Sequence, residues 1–78
     1  MIEKYLNQEA WIGVLFSNYG VGGVGLLPIL GRITSVNNEY VEIVFDPQHK
    51  ENKCQTTLKN TSGKMIVNKQ CLSFVTLI

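Results

Sequence analysis

Residues 31–45 read GRITSVNNEYVEIVF and carry the clearest local signal in this sequence. Two runs of strand-forming residues flank the pair Asn37-Asn38, and asparagine tolerates the positive φ that a tight hairpin turn demands. In the second run, apolar residues recur at every second position from Val41 to Phe45, which gives that strand one apolar face. The stretch therefore predicts an antiparallel β-hairpin.

The rest of the chain predicts a mainly β fold around this hairpin. Apolar residues alternate in the same way in four other segments, residues 11–17, 54–58, 64–67 and 72–78. The spacing of Ile2, Tyr5 and Leu6 is that of one or two helical turns, and Asn7 favours a stop. About five strands and one short N-terminal helix fit a strongly bent antiparallel sheet that closes into a small barrel, because closure removes exposed strand edges.

The chain is short and apolar. Its 78 residues are 45% hydrophobic and 17% charged, so residues 1–78 are predicted to form one domain. A mean hydropathy of +0.08 is high for a soluble monomer of this size and points to self-association or membrane contact. The run from Ala10 to Gly31 is uncharged, but its six glycines and Pro28 disfavour a spanning helix, so no membrane contact is predicted. The N-terminal residues lack the features of a secretory signal, and a cytoplasmic location is expected.

The final segment, residues 72–78, is apolar on both faces. Alternation places Leu72 and Phe74 on one face, and Val75 and Leu77 on the other. A strand of this kind is an aggregation hazard when it is left uncovered. These four residues are therefore predicted to be covered, either inside a barrel or against a neighbouring copy of the chain.

The sequence contains no pattern that predicts catalysis or a metal site. His49 stands alone in a polar loop, with no nucleophile or second carboxylate tied to it by spacing, so the chain is predicted not to be an enzyme. Cys54 and Cys71 form no CxxC pair, and no cofactor, metal or small-molecule substrate is predicted. Residues 20–25 match G-x-G-x-x-G, but no helix follows them. We therefore interpret residues 18–30 as a glycine-rich connector rather than a phosphate cradle.

Three segments together carry a family pattern. Residues 5–14 read YLNQEAWIGV, residues 31–43 read GRITSVNNEYVEI, and residues 63–75 read GKMIVNKQCLSFV. They resemble the helix exit, the first motif and the second motif of the Sm-like family, the ring-forming small barrels that include eukaryotic Sm proteins and bacterial Hfq. The resemblance implies a five-stranded SH3-like or Sm-like barrel, and a cyclic homo-oligomer in which the fourth strand of one subunit pairs with the fifth of the next.

The resemblance also implies a non-catalytic site for single-stranded RNA. The residues that it places there are Asn37, Asn38, Tyr40, Asn68, Lys69 and Gln70. Lys69-Gln70 stands where bacterial Hfq has Lys-His, and residues 68–71 replace the Arg-Gly-x-Asn of Sm proteins. The oligomer interface that it implies is the last strand, with Leu72, Phe74, Val75 and Leu77.

Two alternatives stay open at this point. Asn37-Asn38 and residues 68–70 are also ordinary turn residues that need no ligand. In the second alternative, the chain is a structural or protein-interaction barrel that is related to phage proteins. It then binds no RNA and makes contact through the glycine-rich segment and the apolar residues 26–30. The long segments between the strands resemble divergent phage or environmental members of the family. A net charge of +1 argues against nucleic-acid binding through bulk charge.

Overall fold

The computed structural model describes residues 2–17, 24–55, 58 and 61–78. Within these ranges the elements are a 3₁₀ turn at Ile2–Tyr5, β1 at Glu9–Ser17, β2 at Val24–Val36, β3 at Tyr40–Phe45, β4 at Lys64–Asn68, a second 3₁₀ turn at Lys69–Cys71, and β5 at Leu72–Leu77. The strands form one antiparallel sheet in the order β4-β3-β2-β1-β5. The mainly β, antiparallel prediction is confirmed. The sheet is open, however, with β4 and β5 as its edges, and the predicted N-terminal helix is only a 3₁₀ turn.

The core lies on the inner face of this sheet. Its buried apolar residues are Ala10, Ile12, Val14, Leu27, Ile29, Ile33, Val41, Ile43, Phe45 and Leu58. Met65 and Val67 of β4 pack against this cluster and share an apolar groove with Val14 and Leu27. The sheet therefore bends until β4 approaches β1 across the core. The apolar alternation in residues 11–17 corresponds to a buried face, because Ile12 and Val14 both lie in the core.

The N-terminal turn ends where the sequence predicts it. Asn7 has a φ of 61° and is the non-glycine residue with positive φ among those described. Asparagine adopts this left-handed conformation more readily than most residues. The N–H of Asn7 then donates to the carbonyl oxygen of Ile33 at 2.8 Å, which fixes the turn beside β2.

The interpretation of residues 18–30 as a connector is wrong for residues 24–30, which belong to β2; residues 18–23 lie outside the described ranges. Gly25 is the direct partner of Phe16 on β1, whose ring lies over it. An aromatic ring that covers a strand glycine compensates for the missing side chain. The described part of the G-x-G-x-x-G match, up to Gly25, is therefore strand and does not begin a helix.

Pro28 is tolerated inside β2 because, among the described residues, no strand pairs with one side of β2 at that point. The backbone N–H and C=O of Leu30 face away from β1, toward the loop after β3, where they bond to the side chain of Asn52. Backbone groups two residues apart in a strand point to the same side, so the nitrogen of Pro28 faces this side as well. Pairing of β2 with β3 starts only at Gly31, so Pro28 removes no bond from the ladder.

The predicted strand at residues 54–58 is wrong for residues 54, 55 and 58; residues 56 and 57 lie outside the described ranges. Cys54 lies in an exposed turn, and Leu58 is fully buried in the core outside any strand. Asn52 holds this loop against the sheet. Its Oδ1 accepts from the N–H of Leu30, and its Nδ2 donates to the carbonyl oxygens of Leu30 and Asp46, each at 2.9 Å. The side chain thus takes the place of a neighbouring strand at this point of β2.

The last strand has a different facing pattern from the predicted one. The register with β1 shifts between Gly13 and Val14, so that Phe74 pairs with Gly13 and Leu72 pairs with Val14. Directly paired residues project to the same side of a sheet. Leu72 and Val75 are therefore both on the inner side and half-buried, while Phe74 is on the outer side.

No helix in the described part of the chain combines the length and the hydropathy that crossing a membrane requires.

Candidate nucleic-acid interface

The six predicted RNA-binding residues lie together at one end of the sheet. We call this cluster the polar corner: Asn37, Asn38, Tyr40, Asn68, Lys69 and Gln70. Antiparallel pairing of β3 with β4 makes Tyr40 and Asn68 direct partners. The N–H of Lys69 also donates to the carbonyl oxygen of Glu39 at 2.8 Å. The β2–β3 connection and the β4–β5 connection, far apart in sequence, are therefore side by side.

The β2–β3 connection is a turn closed by an asparagine side chain. Oδ1 of Asn37 accepts from the N–H groups of Glu39 at 2.9 Å and Tyr40 at 2.7 Å, and the Asn37 N–H donates to the Tyr40 carbonyl oxygen at 3.0 Å. The turn spans residues 37–39 and not two residues. Positive φ is not used at Asn37 or Asn38, so that part of the hairpin prediction is wrong.

The β4–β5 connection has a similar construction. Oδ1 of Asn68 accepts from the N–H of Gln70 at 2.9 Å and caps the short 3₁₀ turn that ends at Cys71. The turn chemistry weighed for both asparagines is therefore present. The turns use the amide oxygen of each asparagine. The NH2 group of each exposed amide can still donate to a ligand.

The polar corner combines three kinds of group. Tyr40 is 44% exposed and presents an aromatic ring. Asn37, Asn38, Asn68 and Gln70 are exposed amides, and Lys69 is a half-buried cation. Lys69 shares a small surface crevice with Ile2, Glu3 and Leu72, so the N-terminal turn lies next to the corner. These groups can stack on a base, bond to its edge and contact a phosphate, and none of them supplies an activated nucleophile.

A second polar network on the outer face of the sheet is closed on itself. The Thr34 hydroxyl donates to Oε1 of Glu42 at 2.8 Å, and Lys64 Nζ lies 3.3 Å from Oε2 of the same carboxylate. The hydrogen bond from Thr34, with help from Lys64, lowers the pKa of Glu42 below its ordinary value. Lys64 is thus already paired with an anion, whereas Lys69 belongs to the polar corner and lies in the crevice beside Glu3.

His49 lies in a turn, with its Nδ1 accepting from the N–H of Glu51 at 3.1 Å. It lines a surface crevice with charges of both signs, from Glu9, Arg32 and Asp46. Among the described residues no three His, Cys, Asp or Glu side chains are grouped to hold a metal ion. Both cysteines are free thiols; Cys71 is half-buried, while Cys54 is exposed, contrary to the usual burial of cysteine.

The predicted interface residues divide between the inside and the outside of the chain. Phe74 and Leu77 of β5 are exposed, while Leu72 and Val75 are half-buried. The other edge of the sheet carries an exposed residue that the sequence did not single out, Ile66 of β4, at 65% exposure. In the sequence, Ile66 alternates with Lys64 and Asn68, so the pattern places it on a polar face. Its exposure becomes relevant to assembly only because β4 is an edge strand.

No family model, curated protein or solved structure matches this chain. The Sm-like resemblance therefore stays a prediction that rests on three sequence segments.

Proposed function

We propose that the chain is a self-assembling protein of the Sm-like kind, with a bent sheet that approaches a barrel, and that it binds single-stranded RNA at the polar corner without catalysis. The observation that carries the proposal is the direct pairing of Tyr40 with Asn68. This pairing unites two loops that the sequence singled out separately, and it gives one surface the groups that single-stranded RNA binders use.

The chemistry of the polar corner suits single-stranded RNA better than a duplex. Single-stranded bases are free to stack on an aromatic ring and to bond through their edges. Tyr40 supplies the ring, and the exposed amides of Asn38 and Gln70 supply donors and acceptors. Lys69 supplies one cation for a phosphate. A protein with a net charge of +1 must rely on such local contacts.

Assembly through the two sheet edges complements this weak site. The strand order leaves one edge of β4 and one edge of β5 without a neighbouring strand in the described chain. Exposed apolar residues flank both, Ile66 on one and Phe74 and Leu77 on the other. Pairing β4 of one copy with β5 of the next covers both edges, and it is a head-to-tail contact that can close into a ring.

Residues 69–71 join the two edge strands, so each polar corner lies where the next copy would be added. A ring then presents several corners to one RNA strand. Linked weak contacts raise the total affinity well above that of a single site.

The test is a salt titration of oligouridylate and oligoadenylate binding to the purified protein. We expect binding that weakens with salt, because contacts to phosphate release counterions. Tyr40→Ala should weaken binding about ten-fold through lost stacking. Lys69→Ala should reduce the salt slope, by about 0.7 for each lost phosphate contact.

Lys53→Ala is the matched control, because Lys53 is an exposed lysine in the loop after β3 and lies outside the polar corner. It should change neither affinity nor slope. The proposal is wrong if the wild-type protein shows no salt-dependent binding at low ionic strength, or if Lys53→Ala and Lys69→Ala weaken binding equally.

The second candidate function, a protein-interaction or structural module without RNA binding, is favoured by the apolar outer side of β1 and β2. Leu26 is 50% exposed there, within the segment 26–30 that the sequence singled out. Absence of RNA binding together with intact assembly would favour this candidate.

A further inference from the structure

One half of the outer face of the sheet is apolar. We call it the outer patch: Trp11, Leu15, Leu26, Pro28, Leu30 and Phe74. The pairing of β1 with β2 places these residues in adjacent rows, with Trp11 beside Leu30 and Leu15 beside Leu26. The pairing of β1 with β5 adds Phe74, whose ring lies over Gly13. Leu15, Leu26 and Phe74 are all exposed, so the described chain leaves this face uncovered.

The outer patch is bordered by two charges of opposite sign. Glu9 on β1 and Arg32 on β2 are direct partners in the row next to Trp11 and Leu30, and both are exposed. Arg32 donates through Nη1 to the carbonyl oxygen of Asn7 at 2.9 Å, which holds its guanidinium at the border. A guanidinium has five N–H donors, so this bond leaves it able to meet a carboxylate as well.

We propose that a second copy of this chain covers the outer patch in a symmetric face-to-face pair. The two copies are related by a two-fold axis that runs parallel to the strands, midway between β1 and β2. This axis places β1 of each copy over β2 of the other. Trp11 then lies over Leu30 of the second copy, and Gly13 lies over Pro28. Two sheets that pack face to face keep their strands nearly aligned, as this arrangement requires.

Charge complementarity is what selects a second copy as the occupant. The same two-fold axis places Glu9 of each copy over Arg32 of the other. The border then carries two identical contacts between opposite charges, and the uncharged patch meets its own copy. A symmetric contact needs a surface that is complementary to itself, and opposite charges in the same row of neighbouring strands provide it.

This contact is distinct from the edge pairing proposed above. Edge pairing joins β4 to β5 head to tail, whereas the outer patch joins two copies through the faces of β1 and β2. Of the residues named for the two contacts, only Phe74 belongs to both, so substitutions at the other positions test each contact separately.

Sedimentation of charge-reversal variants tests the proposal in protein that carries Ile66→Lys, a lysine on the β4 edge that opposes edge pairing. This protein should sediment as two chains. Adding Glu9→Arg should reduce it to one chain, because like charges then meet at both borders. Adding Arg32→Glu to that variant should restore two chains, since the exchanged charges are complementary again.

Leu26→Lys provides a second test that leaves the border charges unchanged, and it should also give one chain. Circular dichroism checks that each variant keeps its strand content. The proposal is overturned if Ile66→Lys protein is a single chain, if Glu9→Arg leaves two chains, or if the double reversal fails to restore them. The proposal is also overturned if Ile66→Lys protein binds phosphatidylcholine vesicles and Leu26→Lys abolishes this binding without changing the mass of the protein. That result would show that the outer patch binds a lipid surface. Failure of edge pairing alone is recognised separately, because wild-type and Ile66→Lys proteins then have the same mass.

Discussion

Replacing Asn52 with leucine should destabilise the folded protein by about 3 kcal/mol or more. Asn52 is fully buried, and its amide satisfies one backbone N–H and two backbone carbonyl oxygens. Leucine has a similar size but no polar atoms, so these three backbone groups lose their partner at a position where the side chain is fully buried. Each buried group left without a partner costs about 1–3 kcal/mol, and such costs add incompletely.

Urea unfolding at equal protein concentrations measures this effect, because assembly would otherwise shift the apparent stability. Hydrogen exchange gives a local measure, since the N–H of Leu30 should exchange faster in the variant. Lys53→Ala changes an exposed neighbour in the same turn and should have little effect. Equal stability of Asn52→Leu and wild-type protein would contradict the role given to this side chain.

Gly31→Ala should also destabilise the fold, by about 3 kcal/mol, at the upper end of the range for overpacking. A Cβ on Gly31 would lie 2.6 Å from the carbonyl oxygen of Val44 and 2.8 Å from Cβ of Phe45. Both atoms belong to β3, which is paired with β2 at this point, so only a shift of the strand makes room. Such a shift disturbs the packing of Phe45 in the core.

Gly13→Ala is the matched control for this prediction. Its Cβ would also collide with a neighbour, at 2.2 Å from the Phe74 ring. That ring is partly exposed and can rotate toward solvent, so we expect a loss of about 1 kcal/mol or less. Thermal unfolding of the two variants gives the comparison. A Gly31→Ala protein as stable as Gly13→Ala would show that β3 moves more easily than the contact distances imply.

The sequence predicts β1, β3, β4, β5 and the second half of β2, because alternating apolar residues or the hairpin pattern mark these segments. Strand β3 is the clearest case, with Val41, Ile43 and Phe45 all buried at alternate positions. The first half of β2 escaped prediction because Gly25 and Pro28 are loop-forming residues in most contexts. In this sheet the Phe16 ring covers Gly25, and no described strand pairs with β2 on one side at Pro28. These are tertiary conditions that local pattern does not contain.

The false strand at residues 54–58 has the opposite cause. The alternation is present in the sequence, but the described residues 54, 55 and 58 pair with no strand, and Asn52 holds the loop against β2. An asparagine in a polar loop looks the same in sequence whether it is exposed or buried. Its three backbone partners, on Leu30 and Asp46, become visible only when the loop is folded against β2.

The sequence predicts which residues form the polar corner, but not how they are arranged in space. Each turn is marked by asparagine, but the contact between the turns follows from the pairing of Tyr40 with Asn68. Both asparagines also have the turn role weighed against RNA binding. The turn uses the amide oxygen, and RNA binding would use the amide NH2 group. The two roles are therefore compatible, and experiment decides the RNA role.

The most direct test of the central claim, that copies join head to tail through β4 and β5, is a mixing experiment with two edge variants. Ile66→Lys opposes pairing at the β4 edge, and Leu77→Lys opposes it at the β5 edge. Each variant keeps the edge that the other has lost. We therefore expect wild-type protein to sediment as the largest species, each variant alone as a smaller one, and an equal mixture as a species heavier than either variant alone. A mixture no heavier than its components, or wild-type protein no heavier than the variants, would contradict the claim.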